Sequence, residues 1–261
     1  MLNQWLSCSQ RMPSPYPSFG VMDVIEAQPL NPAVTDHLRD LLLEARIGLD
    51  FLIDAADNLG WKDTLDWVLA SFPNARSARR GEFGEVLSAA VLVQFHDYVL
   101  PIQKLRFAIA AGQSLPGTDF IAFKSDDIGI CEICLVEAKL RTVSDGGAAV
   151  SAYEQLREDH NLRFPEMLRF VALRLFEQAS PLYHDLMAHM RDRQDTTEKE
   201  SFGVSLVWEK DKWSERVLEN LQDNEVELAP LTVHVELIHD VAQLAKALFN
   251  SIGAEMTVDD D

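Results

Sequence analysis

The chain has 261 residues, 47% of them apolar and 25% charged, which is the make-up of a soluble protein with enough side-chain volume for a real core. No stretch reaches the roughly 18 uncharged apolar residues of a membrane helix, and Met1 to Met12 lack the basic start and long apolar run of a secretory signal, so the expected location is the cytoplasm. A net charge of -19 argues against tight unaided binding to a polyanion such as DNA, and three cysteines are too few for a disulfide framework.

Met1 to about Gln28 is rich in serine and carries Pro13, Pro15 and Pro17; it reads as a loosely ordered arm, or as sequence upstream of a start at Met12 or Met22. From Pro32 to Asn58, Leu38, Leu41, Leu42, Ala45, Leu49, Leu52 and Ala55 recur at helical spacing, with Gly60 just past the end. A shorter helix over Lys62 to Ser71 stops at Pro73, completing a helical hairpin. Phe83, Val86, Leu87, Ala90 and Val91 then form the apolar stripe of another helix. Glu82 and Glu85, three residues apart, project together off that stripe.

Three strand-like runs follow: Lys104 to Ile109, where Leu105, Phe107 and Ile109 alternate with other residues; Asp119 to Lys124; and Cys131 to Arg141. Their short connections predict an antiparallel meander. A helix is expected over Ala148 to His160, then a longer helical region to about Arg191 with Pro165 and Pro181 as starts or breaks, and then a polar loop to Ser201. Val204 to Trp208 and Leu231 to Ile238 read as strands, and Ser214 to Leu221 and His239 to Asn250 as helices.

Cys131-x-x-Cys134 lies in an apolar strand-like run without a second pair, so it reads as buried thiols and not a zinc or redox motif. His184 and His189, five apart on a helix, point to different faces. The residues that carry chemistry are Asp119, Glu137 and Lys139. One acid-x-Lys triplet is expected by chance, about one in a chain with this many acids and lysines, so the spelling alone decides nothing. Its setting is more informative. Side chains alternate along a strand, so Glu137 and Lys139 share a face with Ile133 and Leu135, while Ala138 points away and leaves its carbonyl available as an oxygen ligand. Charges entering a core face are costly unless paired or metal-bound. The plain alternative is an exposed strand end with a weak ion pair.

Hydrolysing a phosphodiester requires charge neutralisation on the phosphate, an activated water and help for the leaving oxygen, which carboxylate-held Mg2+ supplies. Asp119 and Glu137 are suitable ligands, and Lys139 beside them can orient the water and stabilise developing charge. Glu85 is favoured over Glu82 as the helix carboxylate because it lies one turn deeper. Gln155, on the next helix, is a possible additional site residue but reads first as a solvated one. Arg76, Arg79, Arg80, Lys104, Arg106, Lys124, Lys139 and Arg141 are the local basic residues available to DNA.

A helix Glu, an Asp at the head of a strand, Glu-x-Lys on the next strand and a following helix together resemble the PD-(D/E)XK nuclease superfamily. More narrowly, Arg79-Arg80-Gly81-Glu82-Phe83-Gly84-Glu85, Leu115-Pro116-Gly117-Thr118-Asp119, Val136-Glu137-Ala138-Lys139-Leu140 and Asp145-Gly146-Gly147 before Tyr153-Glu154-Gln155-Leu156 resemble HamA, the nuclease subunit family of Hachiman anti-phage systems. The resemblance spans roughly Arg79 to His160. Pro116 departs from the namesake Pro-Asp step, since Gly117 and Thr118 precede Asp119.

The resemblance implies an α/β (α+β) fold with a restriction-endonuclease-like core, a central mixed sheet flanked by helices and an N-terminal helical extension. Residues 1–75 would be the arm and extension, and residues 76–261 the nuclease-like domain. It also implies a Mg2+-dependent deoxyribonuclease, with Mn2+ as a possible substitute. The metal would lie on Asp119, Glu137, the Ala138 carbonyl and Glu85, and a helicase subunit would be the partner. No Walker-type loop occurs here, so any ATP-driven step belongs to that partner. A restriction or repair nuclease of the same fold, or an inactive assembly subunit, are the alternatives.

Overall fold

A computed structural model describes residues 1–108, 117–127, 129–192 and 199–255. Six strands, β1 (Leu6–Gln10), β2 (Gly20–Glu26), β3 (Phe120–Asp126), β4 (Gly129–Arg141), β5 (Glu200–Glu209) and β6 (Leu231–Ile238), form one mixed sheet in the order β1-β2-β6-β5-β4-β3. The four central strands are parallel, and β1 and β3 run antiparallel at the edges. Eight α-helices are described: α1 (Pro32–Arg46), α2 (Leu49–Leu59), α3 (Trp61–Ser71), α4 (Arg76–His96), α5 (Ala148–Glu177), α6 (Leu182–Asp192), α7 (Arg216–Gln222) and α8 (Val241–Glu255).

Alternation along the strands divides the core between the two faces. Ile133 and Leu135 of β4, with Val204, Leu206 and Trp208 of β5, pack under α5 and α7. Cys134, Val136 and Ala138 face Ala89 and Leu92 of α4, and Val207 and Ile238 join α1, α4 and α8 on that side. The expected α/β architecture, a mixed sheet between helical layers, is therefore present. Among the described residues no helix is long and apolar enough to cross a membrane.

Several local expectations are corrected. The supposed loose arm supplies β1 and β2, with Trp5 and Leu6 buried; its prolines are confined to the loop between the strands, and β2 is fixed by parallel pairing to β6. The single helix expected over Pro32 to Asn58 breaks at Gly48, which adopts φ 93°, and the Glu44 carboxylate accepts the Leu49 N–H that opens α2. Lys104–Phe107 is a 3-10 turn instead of a strand, so the three-strand meander is absent; Ile109 lies outside the described residues. Its alternation is overridden by anchoring of Lys104 and Arg106 to carbonyls of other segments. Pro165 does not break α5. It sits on the exposed side of the helix, where the carbonyl freed by its missing N–H can meet water.

Candidate functional site

Close packing of α4 on β4 positions the site. A Cβ at Gly84 would come within 2.9 Å of the Leu140 Cβ, so only glycine lets the helix sit this near the strand, and Glu85 follows directly. The β3–β4 register pairs Phe120 with Val136, and continuing it by one residue brings Asp119 opposite Glu137. Asp119 Oδ2 accepts the Ala138 N–H at 2.8 Å. The N–H and C=O of one strand residue point to the same side of the strand, so the Ala138 carbonyl also faces the Asp119 side. Glu137 is 4% exposed, and its Oε1 lies 2.5 Å from Lys139 Nζ. The exposed strand-end alternative for Glu137 is thus excluded.

These residues line one cleft of about 730 Å³. Glu85, Asp119, Glu137, Ala138 and Lys139 all contribute to it, as does Gln155. Gln155 is half-buried, not a solvated helix residue: its Nε2 donates to Asp159 Oδ2 at 2.9 Å. Glu82 does not join the cleft. It is buried beside α1, 3.4 Å from the Arg46 guanidinium, so the two glutamates three apart on α4 diverge in role.

Like charges and burial dominate the electrostatics. Burial, then Asp119, Glu82 and Glu137, hold the Glu85 carboxyl well above the usual range, against the pull of Lys104. Asp119 is also raised by burial, with the Ala138 N–H, Lys139 and Lys104 opposing. Burial and then Asp119 push Glu137 up to about 7 despite Lys139. Three carboxylates under this mutual repulsion form a site that favours a cation.

Three contributors, Lys104, Asp159 and Arg163, were not singled out as site residues in the sequence. Lys104 donates to the Gly117 and Thr118 carbonyls at 2.8 and 2.6 Å, which fixes the segment leading into Asp119, and burial lowers its pKa. Gly117 has φ 94°, and a Cβ there would lie 2.3 Å from Met167 Sδ. Asp159, fully buried on α5, accepts from Gln155 and from Arg163 Nη1 at 2.7 Å. The available signal was an acid three residues past Leu156, in line with the apolar stripe Ala149, Ala152, Tyr153 and Leu156. Arg80, Arg141 and Arg163 line the walls, Arg80 donating to Thr142 and Arg141 and Arg163 pairing with Asp145 and Asp159. Arg79, Arg106 and Lys124 are engaged elsewhere, with the Pro73 carbonyl, Glu44 and Glu132 respectively.

The donor chemistry suits a hard divalent ion. Among the described residues no group of three or more His, Cys, Asp and Glu side chains is arranged to hold a metal ion. Mg2+ needs fewer: it keeps several waters and takes one or two carboxylates, which Asp119 and Glu137 provide beside the Ala138 carbonyl. Elsewhere, Cys131 donates to the Lys124 carbonyl, Cys134 is buried, His184 is exposed and His189 buried, so the cysteine and histidine pairs do not converge.

The sequence model of the HamA family matches residues 22–252. The chain belongs to the HamA family. It is therefore a subunit of the Hachiman type of defence system, which has other subunits. The HamA match extends beyond the Arg79 to His160 segment that carried the resemblance, taking in β2, α1 to α3 and the C-terminal strands and helices. A search of curated proteins found no match.

Proposed function

We propose that this HamA protein is a Mg2+-dependent deoxyribonuclease that works with a helicase subunit. The observation that carries this reading is the convergence of Glu85, Asp119, Glu137 and Lys139 on one cleft, where burial and mutual repulsion raise the three carboxylates. Asp119, Glu137 and the Ala138 carbonyl would hold the cation, and Glu85, on the same cleft wall, would add negative charge beside it. Once bound, Mg2+ supplies neutralisation of phosphate charge and Lewis acidity.

The other roles follow from the side chains themselves. Lys139 Nζ has three N–H donors, and beside Glu137 it can orient an attacking water and donate to the phosphate oxygen as charge develops there. Arg80, Arg141 and Arg163 would grip the flanking phosphates; their planar guanidinium forks match phosphate geometry. Asp159 fixes Gln155 and Arg163 on α5. With -19 overall, DNA delivery falls to a more basic partner, and the helicase of the system suits that task.

The test is cleavage of labelled DNA by the chain with its helicase, in Mg2+ and in EDTA, for the wild type and Lys139→Ala. Cleavage only with Mg2+, lost in a variant that unfolds at the normal temperature, supports the proposal. Wild-type turnover by Lys139→Ala removes Lys139 from the chemistry and leaves its pair with Glu137 merely structural.

A further inference from the structure

Apolar side chains are exposed across the protein, but they are densest on the α2–α3 hairpin. Phe51, Ile53, Leu59, Trp61, Trp67 and Leu69 are each between 40 and 63% exposed, and the Phe51 and Trp67 rings touch with centroids 5.2 Å apart. Leu59 and Trp61 flank Gly60 at the tip. Buried Leu52, Ala55, Leu65 and Val68 already satisfy the hairpin's packing onto the fold, so the aromatic surface is surplus to folding. An exposed aromatic pair in mutual contact marks an interaction site, since large aromatic side chains dominate interface energetics.

The charge around this patch selects its occupant. Asp50, Asp54, Asp57, Asp63 and Asp66 are exposed on the same two helices, with Lys62 as the sole basic residue between Leu49 and Ser71. Two copies meeting through this face would bring like charge against like charge, which disfavours a homodimer. An apolar pocket rimmed by Lys and Arg complements it. We infer that the α2–α3 hairpin is the surface on which the chain docks a basic-rimmed apolar pocket of its helicase subunit. The inference rests on the proposed partnership and adds its location.

That location also connects to the cleft. The Ser71 carbonyl at the end of α3 accepts from Arg46 Nε at 2.7 Å, and Arg46 pairs with Glu82, one turn from Glu85 on α4. A partner seated on the hairpin therefore presses on an element that is tied to the catalytic helix through one buried ion pair.

The experiment measures affinity between the purified full chain and the helicase subunit for the wild type, Phe51→Ser/Trp67→Ser, Asp54→Lys/Asp57→Lys, and a control, Leu162→Ser/Phe176→Ser, exposed on α5. Thermal unfolding checks that each variant folds, and the charge-reversed variant keeps the test valid if the serine variant does not. The expected result is at least about 30-fold weaker binding by the serine variant, the factor a hot-spot pair produces. The charge-reversed variant should associate more slowly and lose salt dependence, and the control should bind normally. Unchanged affinity in both hairpin variants, loss in the control, self-association abolished by Trp67→Ser, or no binding by the wild type would each overturn the inference. Mg2+-dependent cleavage is recorded on the same samples. Cleavage without helicase binding by the wild type sinks the docking surface and the partnership but leaves the Mg2+-dependent nuclease chemistry standing, and binding without cleavage sinks the nuclease proposal alone.

Discussion

Replacing Glu137 with glutamine removes a charge that the folded protein holds unfavourably. Glu137 is 4% exposed, and its carboxyl is pushed up from 4.5 to about 7, first by burial and then by Asp119, with Lys139 opposing. Because the folded-state value lies above the unfolded one, the contribution to stability is full below about pH 4.5 and is lost as pH rises through about 7. That rise corresponds to about 3 kcal/mol. Glutamine keeps the shape of the neutral acid and cannot ionise. In EDTA, Glu137→Gln should therefore match the wild type near pH 4.5 and exceed it by up to about 3 kcal/mol above about pH 8. At about 2–4 °C per kcal/mol, the melting temperature should rise by about 6–12 °C, read by circular dichroism. Mg2+ at a hundredfold excess over its Kd should return about 2.7 kcal/mol to the wild type and less to the variant. A variant no more stable than the wild type at alkaline pH would refute the reasoning, as would a gap of the same size at acid pH.

Gly84→Ala should destabilise by about 1–3 kcal/mol and impair the site, since the added Cβ meets Leu140 at 2.9 Å and pushes α4 off β4; denaturant unfolding and Mg2+ affinity check it. Arg46→Met leaves Glu82 buried opposite an uncharged side chain, and a loss of up to about 3–5 kcal/mol is expected in urea titrations well above about pH 8, where Glu82 must ionise. The loss should shrink in acid, because Glu82, raised to about 7 by burial, is then protonated. Glu236, fully buried on β6 with Ser205 donating to it, is likewise raised to about 7 by burial. Glu236→Gln should stabilise the protein above about pH 8 by about 1–3 kcal/mol and leave it unchanged near pH 4.5, as thermal scans across pH will show.

Much of the site was legible because strand periodicity is local. Glu137 and Lys139 share a face by the two-residue repeat alone, and Asp119 reaches them through a register set by a short connection. What the sequence hid depends on distant segments. Depth on the helix favoured Glu85 as the cleft carboxylate, but that Glu82 does not project with it is seen only from Arg46 on α1, which pairs with Glu82. Gln155 reads as solvated until Asp159 and Arg163 close around it. Lys104 sits in an alternating run that fits a strand equally well, and only its bonds to Gly117 and Thr118 make it a 3-10 turn beside the site. The same holds for β1 and β2, whose serine- and proline-rich surroundings conceal a hairpin that β6 organises.

The proposed chemistry requires a divalent ion held by Asp119, Glu137 and the Ala138 carbonyl. Anomalous scattering from crystals soaked in Mn2+ tests it most directly. A peak is expected in the cleft between the Asp119 and Glu137 carboxylates, with ligand bonds of about 2.0–2.6 Å, and should be lost in Asp119→Asn. Saturating Mn2+ with no peak there, or a peak bound only elsewhere, would contradict it.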